Sequence, residues 1–215
     1  MRFATRSRAL ALLAPALLIV TACGENLGPE ETLTLPSTAA LDGYVYVGST
    51  SHANANGGGP VIGDLDAIST DRRVRQFYSF DLSTLPADAE IQSATLRLNQ
   101  ADVTPGAYTE LGNVLVDHVD YGASLDIPDY DAAALSANIG TLSTNQTEEY
   151  KTLVVTSAVQ ADKGANRTRS QFRIRFTTDG NNDGTNDYAR FTDQEGSTPG
   201  IDNLPQLVIV YRRPQ

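Results

Sequence analysis

Gln171-Phe172-Arg173-Ile174-Arg175-Phe176 alternates strictly between polar and apolar side chains. Successive side chains of a β-strand point to opposite faces of a sheet, so the three apolar residues share one face and the polar residues share the other. An amphipathic helix needs apolar residues spaced by three and four, and this segment lacks that spacing. The segment therefore predicts a strand with one buried face and one polar face.

Similar strand patterns recur on both sides of this segment. Residues 74–81 and 91–98 alternate in the same way, and 44–47 are β-branched and aromatic, which favours a strand. Further strands are predicted at 114–119, 151–155, 188–192 and 206–212, with short helical turns near 132–139 and 158–162. Because no long stretch has a helical period and turn residues separate the strands, we predict one all-β domain, a sandwich or barrel.

The first 22 residues have the composition of an export signal. Three arginines precede an apolar run at 9–20, which would rise about 18 Å as a helix and is too short for a hydrocarbon core of about 30 Å. The run ends in Val20-Thr21-Ala22-Cys23, which resembles the lipobox of bacterial lipoproteins, whose cysteine becomes the acylated N-terminus. We predict a signal peptide at 1–22 and lipidation at Cys23. The alternative is an ordinary signal peptide followed by a chance cysteine.

Behind the signal, residues 23–40 are small, acidic and turn-forming, so we predict a flexible tether there and the β domain at 41–215. Cleavage removes three basic residues and no acid, which leaves a net charge near −13. So acidic a surface repels phosphate backbones and anionic headgroups. We therefore expect no nucleic-acid partner, and membrane contact only through the lipid anchor of an exported, cell-envelope or cell-surface protein.

Several segments resemble the DNRLRE domain family, bacterial extracellular domains related to a family of carbohydrate-binding modules. The specific part is Arg75-Gln76-Phe77-Tyr78-Ser79-Phe80-Asp81-Leu82-Ser83-Thr84-Leu85-Pro86, followed by Ile91-Gln92-Ser93-Ala94-Thr95-Leu96-Arg97-Leu98. The closing segments 189–195 and 205–211 are similar to the family too, whereas 101–150 matches poorly. The resemblance implies a jelly-roll β-sandwich that is usually non-catalytic and often attached to polysaccharide-active enzymes.

The segment 179–187 has the spacing of the first half of a calcium-binding loop. Oxygen donors fall at positions 1, 3, 5, 7 and 9 of this loop, namely Asp179, Asn181, Asp183, Thr185 and Asp187. Position 12 is Arg190, where a bidentate glutamate is usual. A structural Ca²⁺ ion is therefore one of two open interpretations. The other is a polar hairpin tip, in which Asn and Gly supply positive φ angles.

Candidate catalytic groups are few. Asp117 and His118 are adjacent on a predicted strand and point to opposite faces, so they cannot easily share a substrate. We expect Asp117 and the acids that follow it to be solvated, namely Asp120, Asp126, Asp129 and Asp131, and His52 to be a loop residue. The sequence has no nucleophile elbow, no His-Glu-x-x-His motif and no second cysteine. We therefore expect no enzymatic activity.

Sugar binding uses exposed aromatic faces, and the chain has nine tyrosines and no tryptophan. Tyr44 and Tyr46 share one strand face and form a small platform, unless they pack in the sandwich with Val45 and Val47 turned outward. Three further tyrosines are expected in loops, namely Tyr108, Tyr121 and Tyr130.

Long polar loops at 48–71 and 121–150 are expected at one rim of the sandwich. There, loop tyrosines and carboxylates would hold a neutral or cationic glycan, whereas Arg173 and Arg175 form the row that could offset the acidic charge for an acidic polysaccharide. We predict a non-catalytic, lipid-anchored module that binds polysaccharide. A structural or adhesive envelope protein that engages other proteins is the main alternative, and an enzyme of polysaccharide breakdown is the third.

Overall fold

Strands dominate the computed structural model, which describes residues 27–55, 61–66, 71–194 and 203–215. The strands are β1 (Glu31–Pro36), β2 (Gly43–Val47), β3 (His52–Asn54), β4 (Val61–Leu65), β5 (Arg72–Asp81), β6 (Glu90–Val103), β7 (Val114–Val119), β8 (Ser136–Ser143), β9 (Glu149–Val154), β10 (Arg169–Phe176), β11 (Asn186–Phe191) and β12 (Gln206–Arg212). The helices are α1 (Ala107–Glu110) and α2 (Thr156–Gly164), with a 3₁₀ turn at Ile127–Tyr130. With 51% strand against 10% helix, the predicted all-β class is confirmed.

Neighbouring strands are antiparallel, in the order β1-β12-β6-β11-β4-β5-β10-β7-β8, and β2, β3 and β9 pair with β5, β2 and β6 respectively. Strands β6 and β10 are not hydrogen-bonded neighbours, yet Leu96 and Leu98 of β6 lie in the same core cluster as Phe172 and Ile174 of β10. The sheet therefore folds over so that its two halves pack face to face, as in a β-sandwich. The predicted single-domain sandwich is confirmed.

Strand β10 follows its sequence pattern closely. Phe172, Ile174 and Phe176 are fully buried between the two halves of the sandwich, while Arg173 and Arg175 lie on the opposite face. Burying an apolar side chain of this size contributes roughly 1.5–3 kcal/mol relative to leaving it exposed. The alternation therefore fixes which face of β10 turns inward, because a slip by one residue would place the arginines in the core.

A second, smaller core covers the outer face of the β5–β10–β7 region. Phe77 of β5 and Val45 of β2 are fully buried there. The segment that follows β7 packs over them, since Tyr121 and Tyr130 belong to the same cluster and the ring of Tyr121 meets Phe77 edge-on at 5.5 Å. The segment 120–131 therefore covers the outer face of the β5–β10–β7 region, which is not open to water.

The predicted boundary between tether and domain is wrong, because residues 31–36 form strand β1. β1 pairs with β12 along its whole length, and Leu35 is buried in the main core. Even Leu27 forms an isolated bridge to Pro214. The Thr-Leu-Thr-Leu stretch at 32–35 alternates like the other strands, and that period of two outweighs the turn-forming residues around it.

Two predictions between 130 and 165 have opposite outcomes. The expected helical turn at 132–139 is wrong, because β8 begins at Ser136 and pairs with β7. The expected turn near 158–162 is present and extends into α2, which runs over nine residues. In the described part of the chain no helix is long and apolar enough to cross a membrane. The predicted signal peptide and Cys23 lie outside the described residues.

Candidate functional site

The predicted calcium loop closes on itself through its own side chains. Asp183 accepts hydrogen bonds from the backbone N–H of Thr185 at 2.8 Å and from Nδ2 of Asn181 at 3.2 Å. Asn182 and Gly184 have φ angles of 58° and 84°, the positive values that the hairpin interpretation expected. Among the described residues, no three His, Cys, Asp or Glu side chains are grouped so that they could hold a metal ion. Calcium at this loop stays a prediction.

Two contacts tie the loop to the body of the sandwich. Arg75 of β5 donates from Nε to Oδ1 of Asp179 at 3.1 Å, and the backbone N–H of Asn181 donates to Oδ2 of Asp64 at 2.8 Å. Asp187 is buried at the start of β11. The positively charged guanidinium group of Arg75 thus already neutralises the carboxylate of Asp179, as a bound metal ion would.

Asp117 is buried, so the expectation that it is solvated is wrong. Its side chain is 1% exposed, and Oδ2 accepts hydrogen bonds from Nη2 of Arg173 at 3.0 Å and Nε of Arg175 at 3.1 Å. Arg173 also donates from Nη1 to the backbone carbonyls of Asp129 and Tyr130. Arg173 and Arg175 are therefore paired with Asp117, and Arg173 also with the segment that covers it. They do not offer a free cationic face to an acidic polysaccharide.

The other acids of that group stay at the surface. Asp120, Asp126 and Asp131 are exposed, and Asp129 is half-buried. His118 lies on the opposite face of β7 from Asp117, where it is buried and its Nε2 lies 2.8 and 2.9 Å from the two carboxylate oxygens of Asp162. The structure therefore does not bring Asp117, His118 and the following acids together as one acid–base cluster.

The loop tyrosines are not free for sugar binding, so that expectation is wrong. Tyr121 is buried and donates its hydroxyl to the carbonyl of Leu41 at 2.8 Å. Tyr130 is buried beneath the guanidinium of Arg75, whose carbon lies 4.0 Å from the ring centroid. Tyr108 is half-buried, and burial raises the pKa of its hydroxyl to about 12. Tyr121 and Tyr130 belong to the cluster that covers Phe77 on the outer face of β5, which the polar sequence around them did not reveal.

Tyr44 and Tyr46 lie side by side on one face of β2. Both side chains are half-buried, their ring centroids are 6.5 Å apart, and their planes differ by 17°. Val45 is not turned to solvent between them but is fully buried in the second core. The outward-turned valine of the other interpretation is therefore wrong, because the segment after β7 covers that side of β2.

A small cavity of about 110 Å³ lies against this tyrosine pair, between β2, β4 and β5. Apolar side chains form part of its wall, namely those of Val61, Leu65 and Val74. Arg72 lies at its edge with the guanidinium carbon 4.7 Å from the centroid of Tyr46, and the ring of His52 is tilted against Tyr46 at 5.7 Å. The tyrosine face, defined as Tyr44, Tyr46 and Arg72, thus combines flat aromatic surface with a planar hydrogen-bond donor.

Sequence reasoning missed Arg72 as part of this face. Tyr44 pairs with Gln76 and Tyr46 with Val74 across the β2–β5 ladder, so Arg72, two residues before Val74, continues the same side of the sheet. The alternation of β5 placed Arg72, Val74 and Gln76 together, but the pairing partner of β5 was not readable from the chain.

Asp64 is a second feature that the sequence did not reveal. It lies on β4 and is 1% exposed. Two further buried acids are close to it, namely Asp66, two residues later in the chain, and Asp187, which pairs with Asp64 across the β4–β11 ladder. Burial raises the pKa of the Asp64 carboxyl to about 6, the Asn181 amide opposes that shift, and Asp66 and Asp187 add to it. An acid at such a site resists ionisation, which makes folding pH-dependent here.

Two comparisons with known proteins give no match. A scan against protein-family models finds no match, and a search of curated proteins finds none either. The resemblance to DNRLRE domains accordingly stands on the sequence segments themselves.

Proposed function

We propose that the protein is a non-catalytic, exported binding module whose tyrosine face holds a neutral glycan. The observation that carries this proposal is the near-parallel pair Tyr44 and Tyr46, with centroids 6.5 Å apart beside an apolar cavity. The face of an aromatic ring is electron-rich, so the polarised C–H groups of a sugar ring pack favourably against it. The two adjacent, nearly parallel rings are the flat aromatic surface on which the proposed sugar would pack.

Arg72 supports a sugar rather than a purely apolar ligand. Its guanidinium lies over Tyr46 and carries donors in a fixed plane, which suits the hydroxyl groups at the edge of a sugar. The protein is strongly acidic, with a net charge of −10 for the full chain, and this charge opposes binding of an acidic polysaccharide. A neutral glycan is therefore the ligand class that the face fits best.

The remainder of the proposal concerns where the protein works. Acylation at Cys23 would anchor the module to a membrane, as the Val20-Thr21-Ala22-Cys23 segment and the DNRLRE resemblance suggest for an extracytoplasmic protein. Several acyl chains are needed for stable anchoring, since one chain gives only reversible binding. Such a module would hold polysaccharide at the cell envelope.

The experiment is retention of the protein on insoluble neutral polysaccharides, with new reducing ends measured in the same samples. Retention without new reducing ends supports the proposed function. Chain shortening would favour an enzyme of polysaccharide breakdown. Failure to be retained by any glycan would favour the structural or adhesive alternative.

A further inference from the structure

A cavity of about 450 Å³ opens where the two halves of the sandwich meet at their edges. It lies between the start of β8, the end of β9 and the first turns of α2. Within the described residues, β8 pairs only with β7 and β9 only with β6, so no ladder closes the gap between them. Volumes of this order hold small organic ligands.

His118 is a buried polar group that lines this cavity, and its carboxylate partner fixes which ring nitrogen faces the protein. The Asp162 carboxylate lies 2.8 and 2.9 Å from Nε2 of His118 and also accepts the Ser170 hydroxyl at 2.6 Å. A carboxylate acts as acceptor, so Nε2 carries a proton, and the lone pair of a neutral imidazole in this orientation is on Nδ1. The ring is 3% exposed, and among the described residues Nδ1 has no hydrogen-bond partner. It is the ring nitrogen left for a ligand.

The mouth of the cavity is apolar. Val154 and Leu135 are 68% and 44% exposed, and the described residues include only one other large hydrophobic side chain that is exposed. Ile139 continues the same wall. Exposed aliphatic side chains that line a concave surface gain free energy when a ligand covers them.

The described residues that line the site offer no free positive charge. Arg167 lines the cavity, but its Nε donates to Asp120 at 3.1 Å and its Nη1 lies 3.5 Å from Asp162. No uncompensated cation is therefore left to attract an anion, and the overall acidity of the chain opposes one. A neutral ligand with an apolar body and a hydrogen-bond donor matches the wall, the charge and the free Nδ1 atom.

We propose that this cavity binds a compact neutral molecule with an apolar ring and one hydroxyl group, which donates to Nδ1 of His118. The ring would pack against Leu135, Ile139 and Val154. The site shares no residue with the tyrosine face, so it is independent of glycan binding.

The test uses the full chain labelled with ¹⁵N-histidine, titrated with phenol and with its methyl ether, anisole. The chain has two histidines, so exposed His52 is an internal control for His118. We expect phenol to shift the Nδ1 resonance of His118 and leave His52 unchanged. Anisole lacks the donor and should bind about three- to tenfold more weakly, the range of one net hydrogen bond.

Ala161→Phe places a ring at the cavity mouth from an exposed position of α2, and Ala165→Phe at the exposed end of the same helix is the matched control. Ala161→Phe should lose the phenol response and Ala165→Phe should keep it, with unchanged melting temperatures confirming that both fold. No shift of His118 with phenol, an equal affinity for anisole, or an undiminished response in Ala161→Phe would each overturn the proposal.

Discussion

Oδ2 of Asp117 lies 3.0 Å from Nη2 of Arg173, and both side chains are almost completely buried, at 1% and 7% exposure. The pair joins β7 to β10 on the face that the segment 120–131 covers. Burial by itself raises the pKa of the Asp117 carboxyl, but the Asn138 amide, Arg175 and Arg173 together hold it below its ordinary value. The acid is therefore charged at neutral pH, inside a polar network that holds the segment 120–131 against the sheet.

Asp117→Asn should strongly destabilise the protein, because it leaves the buried guanidinium group of Arg173 without a counter-charge. Breaking one side of a buried pair costs about 3–5 kcal/mol. Urea unfolding at neutral pH measures this loss in the free energy of unfolding. Asp120→Asn is the control, since its pair with Arg167 is exposed and such pairs contribute about 0–1 kcal/mol. Equal losses of unfolding free energy in the two variants would contradict the claim that the buried Asp117 network stabilises the fold.

Asp64 should make the protein less stable as the pH rises through about 6. Its folded pKa of about 6 lies above the unfolded value of 3.8, so its stabilising contribution is complete below 3.8 and is lost as the pH rises through 6. Asp64→Asn removes the charge and should stabilise the fold by about 1–2 kcal/mol at pH near 7.5 but little near 4. Urea unfolding at both pH values measures the difference, with Glu110→Gln on the surface as control. A variant that is equally destabilised at both values would contradict this account of Asp64.

Leu35→Ala should destabilise the fold by about 2–3 kcal/mol if β1 belongs to the domain, because a buried leucine leaves a cavity. Thr34→Ala, on the exposed side of the same strand, should change the free energy of unfolding by less than about 0.5 kcal/mol. Thermal melting of both variants makes the comparison. An unchanged melting temperature for Leu35→Ala would restore the flexible tether that sequence composition predicted.

Calcium at the loop 179–187 has a direct thermal test. If Asp179, Asn181, Asp183, Thr185 and Asp187 bind the ion, a hundredfold excess over Kd stabilises the fold by about 2.7 kcal/mol, and chelation lowers the melting temperature. Asp183→Ala should remove that difference. A melting curve that responds to neither calcium nor chelator would leave the polar hairpin, with Arg75 as the counter-charge of Asp179.

The elements with a strict period of two could be predicted from sequence because their burial is decided locally. Strands β5, β10 and β12 fall close to the predicted positions, since alternation fixes both the strand and its inner face. The core residues Phe172, Ile174 and Phe176 followed directly. The fold class needed no knowledge of which strand pairs with which.

The surroundings of the functional groups could not be predicted, because they depend on pairings between distant segments. Asp117 is neutralised by residues 56 and 58 positions away, which only the β7–β10 register brings opposite it. Tyr121 and Tyr130 lie in a polar stretch of sequence and were therefore expected at the surface. They are buried because they pack on Phe77 and Val45, which are distant in the chain. Arg72 joins Tyr46 only through the pairing of β2 with β5.

The tyrosine face gives the most direct test of the proposed function, through the affinity of single variants for a neutral polysaccharide that the wild type retains. Calorimetric titration should show that Tyr46→Ala weakens binding at least tenfold, because it removes the ring that contacts both Tyr44 and Arg72. Tyr46→Phe keeps the ring and should retain most of the affinity, and Tyr188→Ala, at a half-buried tyrosine of β11, should leave it unchanged. Wild-type affinity in Tyr46→Ala would contradict the account.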